Sequence, residues 1–137
     1  ELRGERRRCR TKKLPLRGAG GAGSGDSHLD GRFGGEAPVV LDLVEADPSL
    51  GEPLVPGLSY LRAEAVYAVC HEMATTLDDV LSRRTRARIE DRGATLAAAP
   101  DVAALVGEAA GWTDGRREAE LTAFRDSVEA ELAAESA

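Results

Sequence analysis

The sequence predicts an all-α fold, a small irregular or orthogonal bundle of about five helices behind a disordered N-terminal arm. Three observations carry this. Period-2 alternation of apolar and polar residues, the mark of a half-buried strand, is almost absent from the 137 residues. Apolar residues recur instead at steps of three and four, the spacing of one helix face. The segments so marked are punctuated by Thr, Pro and Gly at positions that start or stop helices.

Taken in order, residues 1–25 are rich in Arg and Gly and too poor in apolar area to offset ordering entropy, so they read as a flexible basic arm or interdomain linker. Residues 26–137 read as the helical domain. His28 to Phe33 can form a short helical turn closed by Gly34 and Gly35, which tolerate positive φ. A helix is predicted from Glu36, with Pro38 accepted in its first turn, Val39, Val40, Leu43 and Val44 inward, and Pro48 as its stop. Pro53 and Pro56 make Gly51 to Gly57 an irregular connection. A second helix runs to about Met73, burying Leu61, Ala65, Ala68, Val69 and Met73.

Thr75 and Thr76 end that helix. Thr76 with Asp79 three residues on approximates a capping box, with Asp replacing the usual Glu. The third helix therefore starts near Leu77 and buries Leu77, Val80, Leu81 and Ile89. It carries Arg83, Arg84, Arg86 and Arg88. Gly93 breaks it, Thr95 to Ala99 is a short alanine-rich piece, and Pro100 suits the first turn of a fourth helix with Val102, Leu105 and Val106 inward and Gly111 as its close. Thr113 caps the fifth, which buries Leu121, Phe124, Val128 and Leu132. Trp112, between the last two, reads as a wedge in the core.

Charge divides the chain. Residues 1–24 hold eight basic and two acidic side chains, residues 25–137 ten and twenty-two, for a net −6. An acidic body does not attract phosphate backbones, which restricts any nucleic-acid contact to the arm or the arginine cluster. Two cysteines, Cys9 and Cys70, are no disulfide framework. No apolar run reaches the roughly 18 to 20 residues that cross a bilayer, and no apolar segment of signal-peptide type follows the basic start, so a soluble, cytoplasmic chain is expected. The first residue, Glu rather than Met, fits a fragment or a processed chain.

Motifs with chemical meaning are few. Gly18-Ala19-Gly20-Gly21-Ala22-Gly23 matches the spelling of a dinucleotide fingerprint, but no buried strand precedes it and no helix follows, so it reads as linker. His71-Glu72 begins like a zinc-binding HExxH, yet position 75 is Thr and the second ligand is missing. No catalytic, cofactor-binding or metal-ligating residue is therefore assigned. The arginines have two readings: a solvated face in which Asp79 pairs with Arg83 and Arg86 with Glu90, or an interdomain contact by Arg83, Arg84, Thr85 and Arg86, with the fork of Arg84 meeting an outside carboxylate.

The run His71-Glu72-Met73-Ala74 followed by Asp78-Asp79-Val80-Leu81-Ser82-Arg83-Arg84-Thr85-Arg86 resembles the C-terminal helical domain of the FAD-dependent, quinone-linked glycerol-3-phosphate dehydrogenases. The resemblance extends over roughly 26–132, and Cys9 to Leu16 is similar to that family's connection into the domain. Cys70, Gly34, Gly35 and Gly115 depart from its pattern. The resemblance implies a C-terminal accessory domain of an enzyme that oxidises glycerol 3-phosphate to dihydroxyacetone phosphate, passing hydride to FAD and electrons to membrane quinone. It implies further that the FAD- and substrate-binding region of that enzyme is this chain's partner, that the chain alone holds no FAD and is non-catalytic, and that the enzyme is peripheral at the inner membrane face. The competing reading from another class is a stand-alone helical module whose Arg83–Arg88 helix binds protein or nucleic acid.

Overall fold

The computed structural model describes residues 11–19 and 23–135. Among them every regular element is helical: α1 (Ser27–Phe33), α2 (Ala37–Ala46), α3 (Arg62–His71), α4 (Ala87–Glu90), α5 (Arg92–Ala110) and α6 (Asp114–Glu135), with short 3₁₀ turns and a π-helical segment at Asp79–Arg84. The all-α expectation holds, with six α-helices in place of about five. The chain forms two compact units, Glu1–Pro38 and Val39–Ala137, the boundary falling inside α2. Most of the predicted arm and the glycine-rich run at 20–22 lie outside the described residues.

In the first unit, Asp26 caps α1 by accepting the amides of His28 and Leu29 at 2.9 and 3.0 Å. Gly34 follows in the left-handed region at φ 54°, and the amide of Gly35 donates to the carbonyl of Gly18 at 3.0 Å. Arg17 pairs with Glu36 at 2.7 Å. This part of the expected arm is thus tied to the residues that follow α1.

The second unit is built on α3, α5 and α6. Its core joins Leu54, Val55 and Tyr60 of the irregular connection to Ala65 and Ala68 of α3, Leu77, Val80 and Leu81 of the π-helical region, Val102, Ala103 and Val106 of α5, and Phe124 and Val128 of α6. Small residues on α3 and α5 let these two backbones approach closely, the arrangement that gives helix pairs good packing in an aromatic-poor chain. Glu64, itself buried, accepts the amide of Leu61 at 2.8 Å and so caps the helix it sits in.

Three predicted elements change form. α3 ends at His71 and Met73 lies beyond it, in the left-handed region at φ 56° and 85% exposed rather than in the core. The reversal satisfies the helix end, since the amides of Glu72 and Ala74 both donate to the carbonyl of Ala68, at 3.1 and 3.0 Å. The continuous arginine helix is broken: the π-helical segment closes with the Thr85 amide on the Val80 carbonyl at 3.0 Å, Arg86 turns left-handed at φ 59°, and the short α4 follows. The break rotates Ile89 outward, leaving it 78% exposed. Finally, the separate pieces at Thr95–Ala99 and from Pro100 are one helix. Asp91 starts it by accepting the Ala94 amide at 2.8 Å, Gly93 falls in its first turn, and Pro100 sits in its middle. Burial of Ala98, Ala99, Val102, Ala103 and Val106 on either side of the proline offsets the roughly 3 kcal/mol that an internal proline costs.

The other boundaries follow the expected chemistry. Asp47 caps a 3₁₀ turn at Pro48–Gly51 just past α2. Gly111, at φ 67°, closes α5 in a Schellman arrangement, with Trp112 donating to the Gly107 carbonyl at 2.8 Å and Gly111 to Glu108 at 3.3 Å. Thr113 caps α6 through the Arg116 amide at 3.2 Å. α6 buries Phe124 and Val128, half-buries Leu121 and leaves Leu132 exposed, because its last turns extend past the core. Trp112 is half-buried rather than a full wedge.

The segment from Leu77 to Arg92 is tied along α6 by three contacts with one constant offset. The Leu77 amide donates to Glu120 at 3.0 Å, Arg88 binds Glu131 at 2.6 Å, and Arg92 binds Glu135 at 2.7 Å, each pair 43 residues apart. The two stretches therefore run in the same direction.

Candidate functional site

The region that holds the arginines begins with a cap. Asp79 accepts the amides of Thr75 and Thr76, both at 3.1 Å, while the Thr76 hydroxyl accepts the Asp79 amide at 3.0 Å, the reciprocal pair expected from the spacing. Burial pushes the Asp79 carboxyl up, but the Thr75 amide, Arg83 and Thr76 together outweigh it and hold the group at about 2, below its ordinary 3.8. The sign follows: the group contributes stability that is complete above pH 3.8 and is lost as pH falls through about 2. Asp79→Asn is expected to remove that component. Denaturation midpoints taken across this window should fall more steeply for the parent chain than for the variant, and parallel profiles would refute the role of the cap.

The four residues expected at an interdomain contact are not equivalent. Arg83 is exposed and pairs with Asp79 and, at 3.3 Å, with Asp78. Arg84 reaches back to the end of α3, donating from Nη2 to the Glu72 carbonyl at 2.8 Å with its Nε 3.5 Å from the Glu72 carboxylate. This neutralises a carbonyl at the negative end of α3. Thr85 is 0% exposed and its Oγ1 donates to the Val80 carbonyl at 2.8 Å, so its chemistry is spent inside the domain. Arg86 is exposed, and among the described residues its guanidinium has neither a hydrogen bond nor an ion pair; the expected Arg86 to Glu90 pair does not form, because Glu90 accepts the Tyr60 hydroxyl. A left-handed non-glycine residue costs of order 1–3 kcal/mol, and such strain concentrates where a side chain must be presented. His71 stacks on Tyr67 at 4.7 Å between ring centroids.

Arg88 was legible only as one more member of the cluster, yet it has the most partners. Its guanidinium donates to Asp78 at 3.2 Å, to the Ser127 hydroxyl and carbonyl at 3.0 Å each, and to Glu131 at 2.6 Å, and lies 5.7 Å from the Phe124 ring centroid. No local pattern could announce this, because its partners on α6 are distant in sequence. With Arg83, Arg84 and Arg88 paired inside the chain, little of the cluster is left to neutralise phosphates. Among the described residues no group of three or more His, Cys, Asp or Glu is placed to hold a metal, and no helix is long and apolar enough to cross a membrane.

The sequence of this helical unit is similar to that of known proteins. Residues 9–117 match the family model described as the C-terminal domain of alpha-glycerophosphate oxidase. The chain belongs to this family. As a member of the alpha-glycerophosphate oxidase C-terminal domain family it is also similar to longer proteins: the chain is 37% identical over 105 residues to glycerol-3-phosphate dehydrogenase 2 of Mycobacterium tuberculosis (strain ATCC 25618 / H37Rv), covering 77% of this chain and 18% of that protein. It is 38% identical over 105 residues to glycerol-3-phosphate dehydrogenase of Mycobacterium leprae (strain TN), with the same coverage. It is 30% identical over 102 residues to the enzyme of that name from Synechocystis, covering 74% of this chain and 18% of that protein. The chain thus spans under a fifth of the length of these curated relatives. No solved structure matches. The family match bears out the resemblance read from His71–Ala74 and Asp78–Arg86, both of which fall inside it.

Proposed function

We propose that this chain is the accessory helical domain of an FAD-dependent glycerol-3-phosphate dehydrogenase, non-catalytic by itself, and that the region of Arg83 to Arg86 contacts the FAD- and substrate-binding body of the same enzyme. The observation that carries the reading is the family match over 9–117 combined with the small share of each relative that the chain represents. In the complete enzyme, glycerol 3-phosphate would be oxidised to dihydroxyacetone phosphate with hydride passing to FAD and electrons to quinone at the inner membrane face. The helical domain supplies no reacting group to that sequence. Its contribution is to hold the body, with Arg83 and Arg86 presented outward and Arg84 and Thr85 fixing the turn that presents them.

The complete enzyme tests this. Arg86→Glu removes no contact within the described residues, so the isolated 137-residue chain should keep its thermal midpoint. In the complete enzyme the same change should lower the midpoint and open the junction to limited proteolysis, because it places a like charge against an acidic partner. Equal midpoints and equal proteolysis for variant and parent would sink the contact. A flavin absorption band or glycerol 3-phosphate oxidation by the isolated chain would overturn the accessory role.

A further inference from the structure

We propose that Met73 and Ile89 are the apolar anchors by which this helical unit docks onto the body of the same enzyme, with Arg86 as the cation between them. The proposal rests on the accessory-domain reading and deepens it by naming the side chains that make the contact. Met73 is 85% exposed and Ile89 78%, the two most exposed large apolar side chains described in residues 39–137. Both belong to one short stretch of structure. Arg84 ties the turn of Arg86 to that of Met73 through the Glu72 carbonyl, and Glu90, beyond Ile89, accepts the Tyr60 hydroxyl just before α3. Residues 84–90 therefore run alongside α3 in the opposite direction, with Met73 at one end and Ile89 toward the other.

Met73 goes against two preferences at once. It is apolar and exposed, and it is left-handed, where Gly or Asn would serve a solvent-facing turn at less cost. It cannot fold back, because the amides of Glu72 and Ala74 on either side both donate to the Ala68 carbonyl and Ala74 is itself buried. Ile89 stands between Arg88, anchored on α6, and Glu90, held by Tyr60. Arg86 is the other left-handed non-glycine residue among those described, and its carbonyl accepts the Ile89 amide at 2.9 Å, so its unpaired guanidinium belongs to the same turn. Side chains held outward by fixed backbone lose little further freedom when covered, which is what an interface anchor requires.

The size of the patch selects its occupant. Two apolar side chains and one guanidinium fall well short of the roughly 800 Å² per partner that a stable free complex buries, so a second copy or a separate protein would not be held by them. A covalently joined surface needs far less, because the linkage supplies a high effective concentration. The dehydrogenase relatives are matched over only 18% of their length, and the remainder of such a protein is the surface so joined. Its complementary face is apolar, with a hydrogen-bond acceptor opposite Arg86.

Met73 is the only methionine in the chain, so its conversion to sulfoxide by hydrogen peroxide, read by mass spectrometry of the peptide that carries it, reports whether it is covered. Oxidation should be at least about fivefold slower in the complete enzyme than in the isolated chain, and a smaller difference overturns the proposal. Ile89→Ser should return the rate in the complete enzyme toward that of the isolated chain; no rise overturns it too. Met73→Asn removes the anchor and suits the left-handed turn. The isolated chain should then keep or raise its thermal midpoint, while the junction of the complete enzyme opens to limited proteolysis. A lower midpoint in the isolated chain, or unchanged proteolysis of the enzyme, counts against the anchor. Arg86→Glu separates two failures. If it opens the junction while Met73 oxidises equally fast in both samples, this inference falls and the accessory reading stands; if it has no effect and the rates are equal, both fall. Slowing in the isolated chain as its concentration is raised would assign the patch to a second copy and overturn the proposal.

Discussion

Replacing Phe124 by Ala is expected to lower the unfolding free energy of the chain by about 3–5 kcal/mol, the cost of removing a large buried aromatic side chain and leaving a cavity. Phe124 is only 2% exposed and is the one aromatic residue that α6 contributes to the core. In a domain of this size the total stability is of order 5–15 kcal/mol, so the change takes a large share of it. Val128 and the half-buried Leu121 do not make up the difference, since each is smaller. A urea titration of parent and variant followed by circular dichroism measures the effect. A loss below about 1 kcal/mol would show that α6 is held by its polar ties and not by this ring.

The second large effect is expected at Arg88. Arg88→Ala removes donors from Asp78, from both oxygens of Ser127 and from Glu131 in one step, along with the stacking on Phe124. Its side chain is 14% exposed, so solvent compensates only in part, and the loss should be about 2–3 kcal/mol, below the 3–5 of a fully buried pair. Arg88→Lys should recover less than half of this, because one ammonium cannot reach the Ser127 carbonyl, Asp78 and Glu131 together. The same titration decides it, and a Lys variant as stable as the parent would mean that charge alone, rather than the fork, is what the site requires. High salt should narrow the gap between Arg88→Ala and the parent only slightly, in contrast to the exposed Arg83 pairs, where screening is effective.

Local chemistry was legible in the sequence and non-local chemistry was not. Thr76 with Asp79, Thr113 and Gly111 act where their types and spacings put them, because a cap is decided within three or four residues. The single long α5 was hidden by Pro100, whose local preference to start a helix was overridden by apolar residues packed on both sides of it. The reversal at Arg86 was hidden for the opposite reason. Arginine carries no local preference for positive φ, and the turn is imposed by Thr85 closing onto Val80 beneath it. Arg88 illustrates the limit most clearly. It stands out by its partners on α6, and these cannot be read from its neighbours in the chain. The family, by contrast, was carried by one contiguous run, His71 to Arg86, which is why it could be recognised while the assignments of individual arginines could not.

The constant offset between Leu77–Arg92 and α6 has a kinetic consequence. Each of the three ties closes a loop of the same length, and the entropy of loop closure rises only with the logarithm of that length and is incurred once for contacts that share a loop. The first tie to form bears nearly all of the cost, and the other two then close at little further expense. The three ties should accordingly form together and be lost together, so that the contact between Leu77–Arg92 and α6 opens as a unit.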